Sequence, residues 1–124
     1  MQSLIKKLEK FIYSKYKNEW IEADGVHIFV RKAQRFLPFP DRLENDRYYY
    51  SFDLANIVIE EKLRGQGRFK KLLAEIEQLA RKHGFDCLYV ESVLNNRLAS
   101  FLTRSGWTQH PYIDPIAPCF YLRF

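Results

Sequence analysis

The sequence predicts a mixed α/β fold in one domain, and three observations carry that reading. An apolar strand over Tyr48–Ile59 runs into a glycine-bearing turn, an amphipathic helix follows at once, and a second apolar strand lies beyond it. That order places the two strands parallel and side by side, because a right-handed crossover returns the chain to the same sheet. At 124 residues the chain can bury one core and has little room for a second, so the domain is taken to run over 1–124. With 47% of the residues hydrophobic, a packed core is expected rather than disorder.

The elements follow in order. From Ser3 to Tyr16, Leu4, Ile5, Leu8, Phe11 and Ile12 recur at helical spacing with Lys6, Lys7, Glu9 and Lys10 opposite, which predicts an amphipathic helix. Trp20–Ala23 and Val26–Val30 flank Asp24-Gly25, a pair that tolerates positive φ at both positions and so predicts a tight hairpin. Pro38 and Pro40, with Asp41, Glu44, Asn45 and Asp46, mark a loop, since proline removes donors and the polar residues leave little to bury. Tyr48–Ile59 is aromatic and β-branched, and its last part, Ala55–Ile59, is apolar enough to be central. In the helix after the turn, Phe69, Leu72, Leu73, Ile76, Leu79 and Ala80 line one face, Glu77 meets Arg81 one turn on, and Gly84 stands where a C-terminal cap belongs. Phe85–Val93 reads as the second central strand. Leu98, Phe101, Leu102 and Ser105 then share a face of a short helix that Asn95 or Asn96 caps and Gly106 ends. Trp107–Gln109, a proline-punctuated loop over Pro111–Pro118 and a final strand Cys119–Phe124 complete the chain.

The turn between strand and helix reads Arg64-Gly65-Gln66-Gly67-Arg68-Phe69. Gly65 and Gly67 let the backbone bend with no Cβ in the way, so successive N–H groups can converge on one anion. The unpaired N–H groups and dipole of the helix start favour a phosphate there, and Lys62, Arg64, Arg68 and Lys70 add positive charge. A phosphorylated ligand is the expected occupant. The alternative is a solvated connection, since glycine-rich turns of this kind also occur without a ligand. Two nucleotide motifs are not met: a P-loop ends in Gly-Lys-Ser/Thr and a dinucleotide turn has a third glycine, whereas Phe69 and Lys70 fill those slots.

The formal net charge of +5 suits an anionic cofactor, a nucleic acid or an acidic protein surface, and does not choose among them. Cys87 and Cys119 each lie in an apolar run, which predicts buried thiols in a reducing compartment rather than disulfides. The first residues alternate apolar and charged side chains and no long apolar segment follows. Neither a signal peptide nor a membrane span is therefore expected, and the cytoplasm is the expected location. His27, His83 and His110 lack metal-ligand spacing, so no metal is expected.

Together these residues resemble the GNAT superfamily of N-acetyltransferases. Its signature, Gln/Arg-x-x-Gly-x-Gly/Ala at the start of the helix after the fourth strand, is met by Arg64-Gly65-Gln66-Gly67 and departs at Phe69. A second segment, Val90-Glu91-Ser92-Val93-Leu94-Asn95 followed by Leu98, Phe101, Leu102 and Gly106-Trp107, is similar to the family's Asn-x-x-Ala-x-x-Leu-Tyr-x-x-x-Gly-Phe, with Asn95 on its asparagine. Leu102 stands where the family has the tyrosine that protonates the departing thiolate of coenzyme A. The resemblance covers Phe52–Phe124. Ahead of Ser51 the helix and hairpin are shorter than the family's usual first strand and helix pair, which implies a reduced acceptor side.

The resemblance implies a single-domain N-acetyltransferase fold, its mixed central sheet splayed between the strands before and after the cradle helix, with acetyl-CoA as cosubstrate. It implies the pyrophosphate on the N–H groups of Gly65–Phe69 with Arg64, Gln66, Arg68 and Lys70 around it. The pantetheine would run along Ile57, Val58 and Ile59, with Asn95 and Phe101 on the coenzyme side. Where parallel strands splay, unpaired backbone groups of Ile57 and Val58 can bond the pantetheine amide and steady the thioester oxygen as it gains charge.

An alkyl ammonium titrates at about 10.4, so the acceptor must lose a proton before it attacks. Asp53, where some family members carry a catalytic glutamate, and Glu91 are the candidate bases; the plain alternative for each is a solvated or salt-bridged strand carboxylate. Tyr89 and Tyr121 are candidates to replace the missing tyrosine, against a packing role. The implied function is acetyl transfer to a primary amine, on a small molecule or a protein, by direct attack in a ternary complex, with the chain a monomer or homodimer. The alternative is a catalytically silent domain that binds coenzyme A or a protein partner. Acetylation of charged transfer RNA is a third, suggested by the basic balance.

Overall fold

The computed structural model of the protein describes residues 2–37, 48–60, 65, 67–93, 95–111, 113 and 116–124. The expected loop at Pro38–Asp46 lies outside them, as do Lys62, Arg64 and Gln66 of the cradle. The first helix, α1, spans Gln2–Tyr13 and buries Leu4, Leu8 and Phe11. The hairpin that follows ties down both of its ends. Asp24 accepts a hydrogen bond from the Leu4 amide at 2.9 Å. The Lys32 ammonium donates to the carbonyls of Phe11, Ile12 and Ser14 at 3.0, 3.2 and 2.8 Å. These are orphan groups of a helix start and a helix end, satisfied by side chains of opposite charge.

The hairpin pairs β1, Asn18–Ala23, with β2, Val26–Phe36. Its turn takes the expected form, with φ of 54° at Asp24 and 78° at Gly25. β2 runs on past Val30, where the sequence reading ended it, because its far half pairs with β3, Tyr48–Ile59, as far as Phe36 opposite Tyr48. Next come α2, Arg68–Lys82, then β4, Cys87–Val90, α3, Asn96–Arg104, β5, Thr108–Gln109, and β6, Phe120–Arg123.

The six strands form one sheet in the order β1-β2-β3-β4-β6-β5, with β3 and β4 parallel and the other neighbours antiparallel. The parallel pair flanking the crossover helix is the feature the sequence predicted. β4 is shorter than Phe85–Val93. At its start Phe85 and Gly84 are held by α2, donating to the carbonyls of Ala80 and Arg81, so Gly84 closes the helix as expected, with φ of 79°.

Two cores follow from strand alternation. On one face of the sheet Phe52, Leu54, Leu88 and Phe120 pack with Leu8 and Phe11 of α1, Ile76 of α2 and Leu102 of α3. On the other a smaller cluster joins Leu37, Tyr49, Cys87, Tyr89, Cys119 and Tyr121. Both cysteines are buried and free. Burial pushes the Cys87 thiol up to about 11, so it stays protonated and inert at neutral pH. Among the described residues no helix is long and apolar enough to cross a membrane.

Candidate active site

The ladder between β3 and β4 ends at Leu54 opposite Val90, with one further bond from the Glu91 amide to the Leu54 carbonyl at 3.1 Å. Beyond it the strands part. β3 continues to Ile59, while the other chain turns off at Ser92, with φ of 52°, and the Val93 amide bonds the Pro118 carbonyl at 2.7 Å instead. A bulge sharpens the curl, since Phe29 faces Asn56 and Val30 faces Leu54, leaving Ala55 as the extra residue. The result is a cleft of about 850 Å³ between Asn56–Ile59 on one side and Glu91–Val93 on the other, closed at its ends by the start of α2 and by α3.

The cradle sits at one end. Gly65 and Gly67 are left-handed, with φ of 77° and 70°. Gly67 is the residue before α2 and has no side chain of its own to cap it, and the first helical bond is from the Lys71 amide to the Gly67 carbonyl at 3.3 Å. A Cβ at either glycine would meet nothing within 4 Å among the described residues, which leave open space in front of the turn. Backbone conformation, not crowding by the protein, calls for glycine here. A helix start with a glycine in the cap position, on the cleft wall beside Arg68 and Lys70, fits a phosphate group. The Lys70 ammonium also lies over the Phe101 ring at 4.8 Å, joining α2 to α3 across the cleft.

Of the expected coenzyme residues, Ile57, Val58, Ile59, Gly65, Gly67, Arg68, Phe69, Lys70, Asn95 and Phe101 all lie on the cleft wall; Arg64 and Gln66 are outside the described residues. Asn95 caps α3, its Oδ1 accepting from the amides of Arg97 and Leu98 at 2.8 and 3.2 Å. Its side-chain NH₂ is then the part that can meet a ligand.

The two candidate bases separate. Glu91 is on the cleft wall and Asp53 is not. The Asp53 side chain is fully buried and accepts from Ser51 Oγ at 2.5 Å, from Arg35 Nε at 3.1 Å to each oxygen and from Arg35 Nη2 at 2.6 Å. With no exposure and both oxygens engaged, it is an anchor for arginine and not a group that can meet an acceptor. Glu91 is tied to the same cation: its Oε1 accepts from Arg35 Nη2 at 2.8 Å and from Arg31 Nη1 at 2.6 Å. Two guanidiniums thus alternate with two carboxylates, a cluster of zero net charge on the face away from the helices.

Sequence reasoning missed Arg31 and Arg35. The available signal was alternation, since Arg31, Ala33 and Arg35 share one face once β2 is carried past Val30.

Tyr89 and Tyr121 are each 1% exposed and absent from the cleft wall, so neither reaches a thiolate there. The Arg35 guanidinium stacks over the Tyr89 ring at 3.8 Å. The Tyr89 hydroxyl lies 2.8 Å from His110 Nδ1. Burial raises the phenol and, aided by Arg35, lowers the imidazole, so His110 is neutral at neutral pH and shares one hydrogen bond with the Tyr89 hydroxyl. Leu102 is fully buried in the main core. Among the described residues no group of three or more His, Cys, Asp or Glu side chains is placed to hold a metal ion.

The model of the acetyltransferase (GNAT) family matches residues 36–107. No curated protein matches the sequence. Among solved structures, the fold is similar to a mutant AtaT toxin bound to acetyl-CoA and the C-terminus of the antitoxin AtaR, at 19% identity and TM-score 0.54 over 79% of this chain and 57% of that one. It is similar to a putative acetyltransferase from Agrobacterium tumefaciens, at 22% identity and TM-score 0.57 over 86% and 73%. It is also similar to AtaT complexed with acetyl-methionyl-tRNAfMet, at 18% identity and TM-score 0.57 over 79% and 61%. The chain thus spans less than two thirds of the length of both AtaT structures, and at these identities the likeness is one of fold.

Proposed function

The chain belongs to the acetyltransferase (GNAT) family, and on that premise we propose that it moves an acetyl group from acetyl-CoA to a primary amine by direct attack in a ternary complex. The observation that carries the reading is the meeting, in one cleft, of a left-handed glycine helix start at Gly67 with the β3 edge that β4 leaves at Leu54. The first can take a pyrophosphate and the second can take amide groups of a pantetheine arm. When bound, acetyl-CoA supplies the activated acyl group. Gly65, Gly67, Arg68, Phe69 and Lys70 would hold its phosphates together with Arg64 and Gln66, their neighbours in sequence, and Ile57, Val58 and Ile59 would run beside the arm, with Asn95 and Phe101 opposite.

Glu91 is the base in this reading, as the cleft-wall carboxylate among the described residues. Both arginines bond its Oε1, which leaves Oε2 to take the proton of the acceptor ammonium directly or through water. The nitrogen then attacks the carbonyl carbon, the C–N bond forms, the C–S bond breaks with its electron pair on sulfur, and the proton that nitrogen sheds ends on that sulfur as the thiol.

The second reading, a silent domain that binds coenzyme A or a protein partner, is favoured by one observation: Leu102, in the tyrosine's place, is an apolar side chain in the core. Calorimetric titration with acetyl-CoA, followed by thiol release over a panel of alkyl amines, lysine peptides and aminoacyl-tRNA, tests both. The tRNA belongs in the panel because the similar AtaT is complexed with acetyl-methionyl-tRNAfMet. Heat with thiol release supports the enzyme, heat without release supports the silent domain, and the absence of heat removes both.

A further inference from the structure

Two described residues other than glycine have left-handed backbones, Asp24 and Ser92. Asp24 sits in the hairpin turn, where both central positions need positive φ. Ser92 serves no hairpin: its left-handed backbone turns the chain aside just after β4. It lies where the chain leaves β3, next to Glu91, exposed and on the cleft wall. Glycine would take this conformation freely, whereas a serine there is strained and brings a hydroxyl.

The strain places the only hydroxyl among the described cleft-wall residues beside the candidate base, at the point where the strands part. That hydroxyl makes no hydrogen bond to another described residue. The other side chains on the wall that can give up a proton or a hydrogen bond are at the cradle end, as Arg68 and Lys70 are, on β3 as Asn56, or at the start of α3, as Asn95 and Arg97. The tyrosine position offers no donor, since it holds the buried Leu102.

Resting on the acetyl-transfer reading, the geometry points to Ser92 as the residue that delivers a proton to the departing thiolate. As the amine nitrogen bonds the carbonyl carbon and the C–S bond breaks, sulfur keeps the electron pair. Ser92 Oγ gives its proton to sulfur and accepts the proton that nitrogen sheds. The hydroxyl is regenerated and the amine proton ends on the thiol, while the earlier ammonium proton stays with Glu91.

Ser92→Ala and Ser92→Gly test this together with the wild type. Calorimetry measures acetyl-CoA affinity, and thiol release with the fastest amine of the panel measures turnover between about pH 6.5 and 9.5. Both variants are expected to keep the coenzyme affinity within about twofold and to lose turnover about tenfold to hundredfold, the lower part of the range for a placed acid. The loss should shrink as pH rises past the ordinary thiol value of about 8.5, where the thiolate needs no proton to leave. Ser92→Gly should melt no lower than the wild type, since it relieves the left-handed serine, so a fall in its turnover cannot be assigned to unfolding. Turnover equal to the wild type in either variant overturns the assignment. So does full activity in Ser92→Gly with loss in Ser92→Ala, which would mean that the site needs the backbone shape and not the hydroxyl. A wild type that binds no acetyl-CoA removes the acetyl-transfer reading itself, and this one with it.

Discussion

Arg35 grips the buried Asp53 carboxylate through both Nε and Nη2, and the same Nη2 reaches Glu91 at 2.8 Å. One guanidinium therefore fixes the position of a carboxylate on the cleft wall by holding on to a second one beneath the surface. The arrangement suits arginine, whose planar fork serves both acceptors at once, and lysine could not reproduce it.

Asp53→Asn should act on stability before it acts on chemistry. It leaves two guanidiniums against one carboxylate in a partly buried cluster, and breaking such a pair on one side costs roughly 3 kcal/mol. Urea unfolding should show that loss, with coenzyme affinity changed little. A variant as stable as the wild type but slower in turnover would return Asp53 to the chemistry.

Glu91→Gln keeps the shape of the side chain and its bond to arginine while removing the proton acceptor. Turnover should fall by about a hundredfold, as for loss of a placed base, with acetyl-CoA affinity within about twofold. Thiol release at saturating acetyl-CoA measures it. Unchanged turnover would mean that water alone takes the ammonium proton.

His110 gives stability a pH dependence of known sign. Its folded value is held below the ordinary 6.5 by burial and by Arg35. Below pH 6.5 the unfolded chain binds a proton that the folded chain resists, so this term leaves stability intact above 6.5 and erodes it as pH falls through that value. His110→Gln keeps a polar partner for Tyr89 and should flatten the melting-temperature profile on the acid side of pH 6.5. An equally steep profile would place the titration elsewhere. Glu9, lowered chiefly by its bond from His83, acts in a separate window below its ordinary 4.5.

Gly67→Asp should abolish acetyl-CoA binding, by at least about a hundredfold, because it sets a carboxylate in the open space before the helix start. Aspartate tolerates left-handed φ better than most residues, so the fold should survive. Circular dichroism and calorimetry on one sample check both halves. Retained affinity would put the phosphates elsewhere.

Much of this was legible in the sequence. Tyr48–Ile59, the Asp24-Gly25 turn and the apolar face of α2 depend on local pattern and turn chemistry, and they stand as read. Gly67, Ile57, Asn95 and Phe101 line one cleft, a placement that follows once the two strands are parallel. The roles of Asp53 and Glu91 were not legible, because both are strand carboxylates and only register decides which is buried. Register also hid the arginines. Arg31-Lys32-Ala33-Gln34-Arg35 has no apolar face to announce a strand, and its extended form comes from pairing with Tyr49–Asp53. The far end of β4 was overread since Val93 is as apolar as Val90, and what ends the strand is the left-handed turn at Ser92.

The most direct test is an amide nitrogen–proton correlation spectrum of the isotope-labelled chain titrated with acetyl-CoA. The account predicts that the largest shifts fall on the amides of Gly67, Arg68 and Phe69, with a second group along Ile57–Ile59. A titration that binds the coenzyme and leaves those amides in place would contradict it.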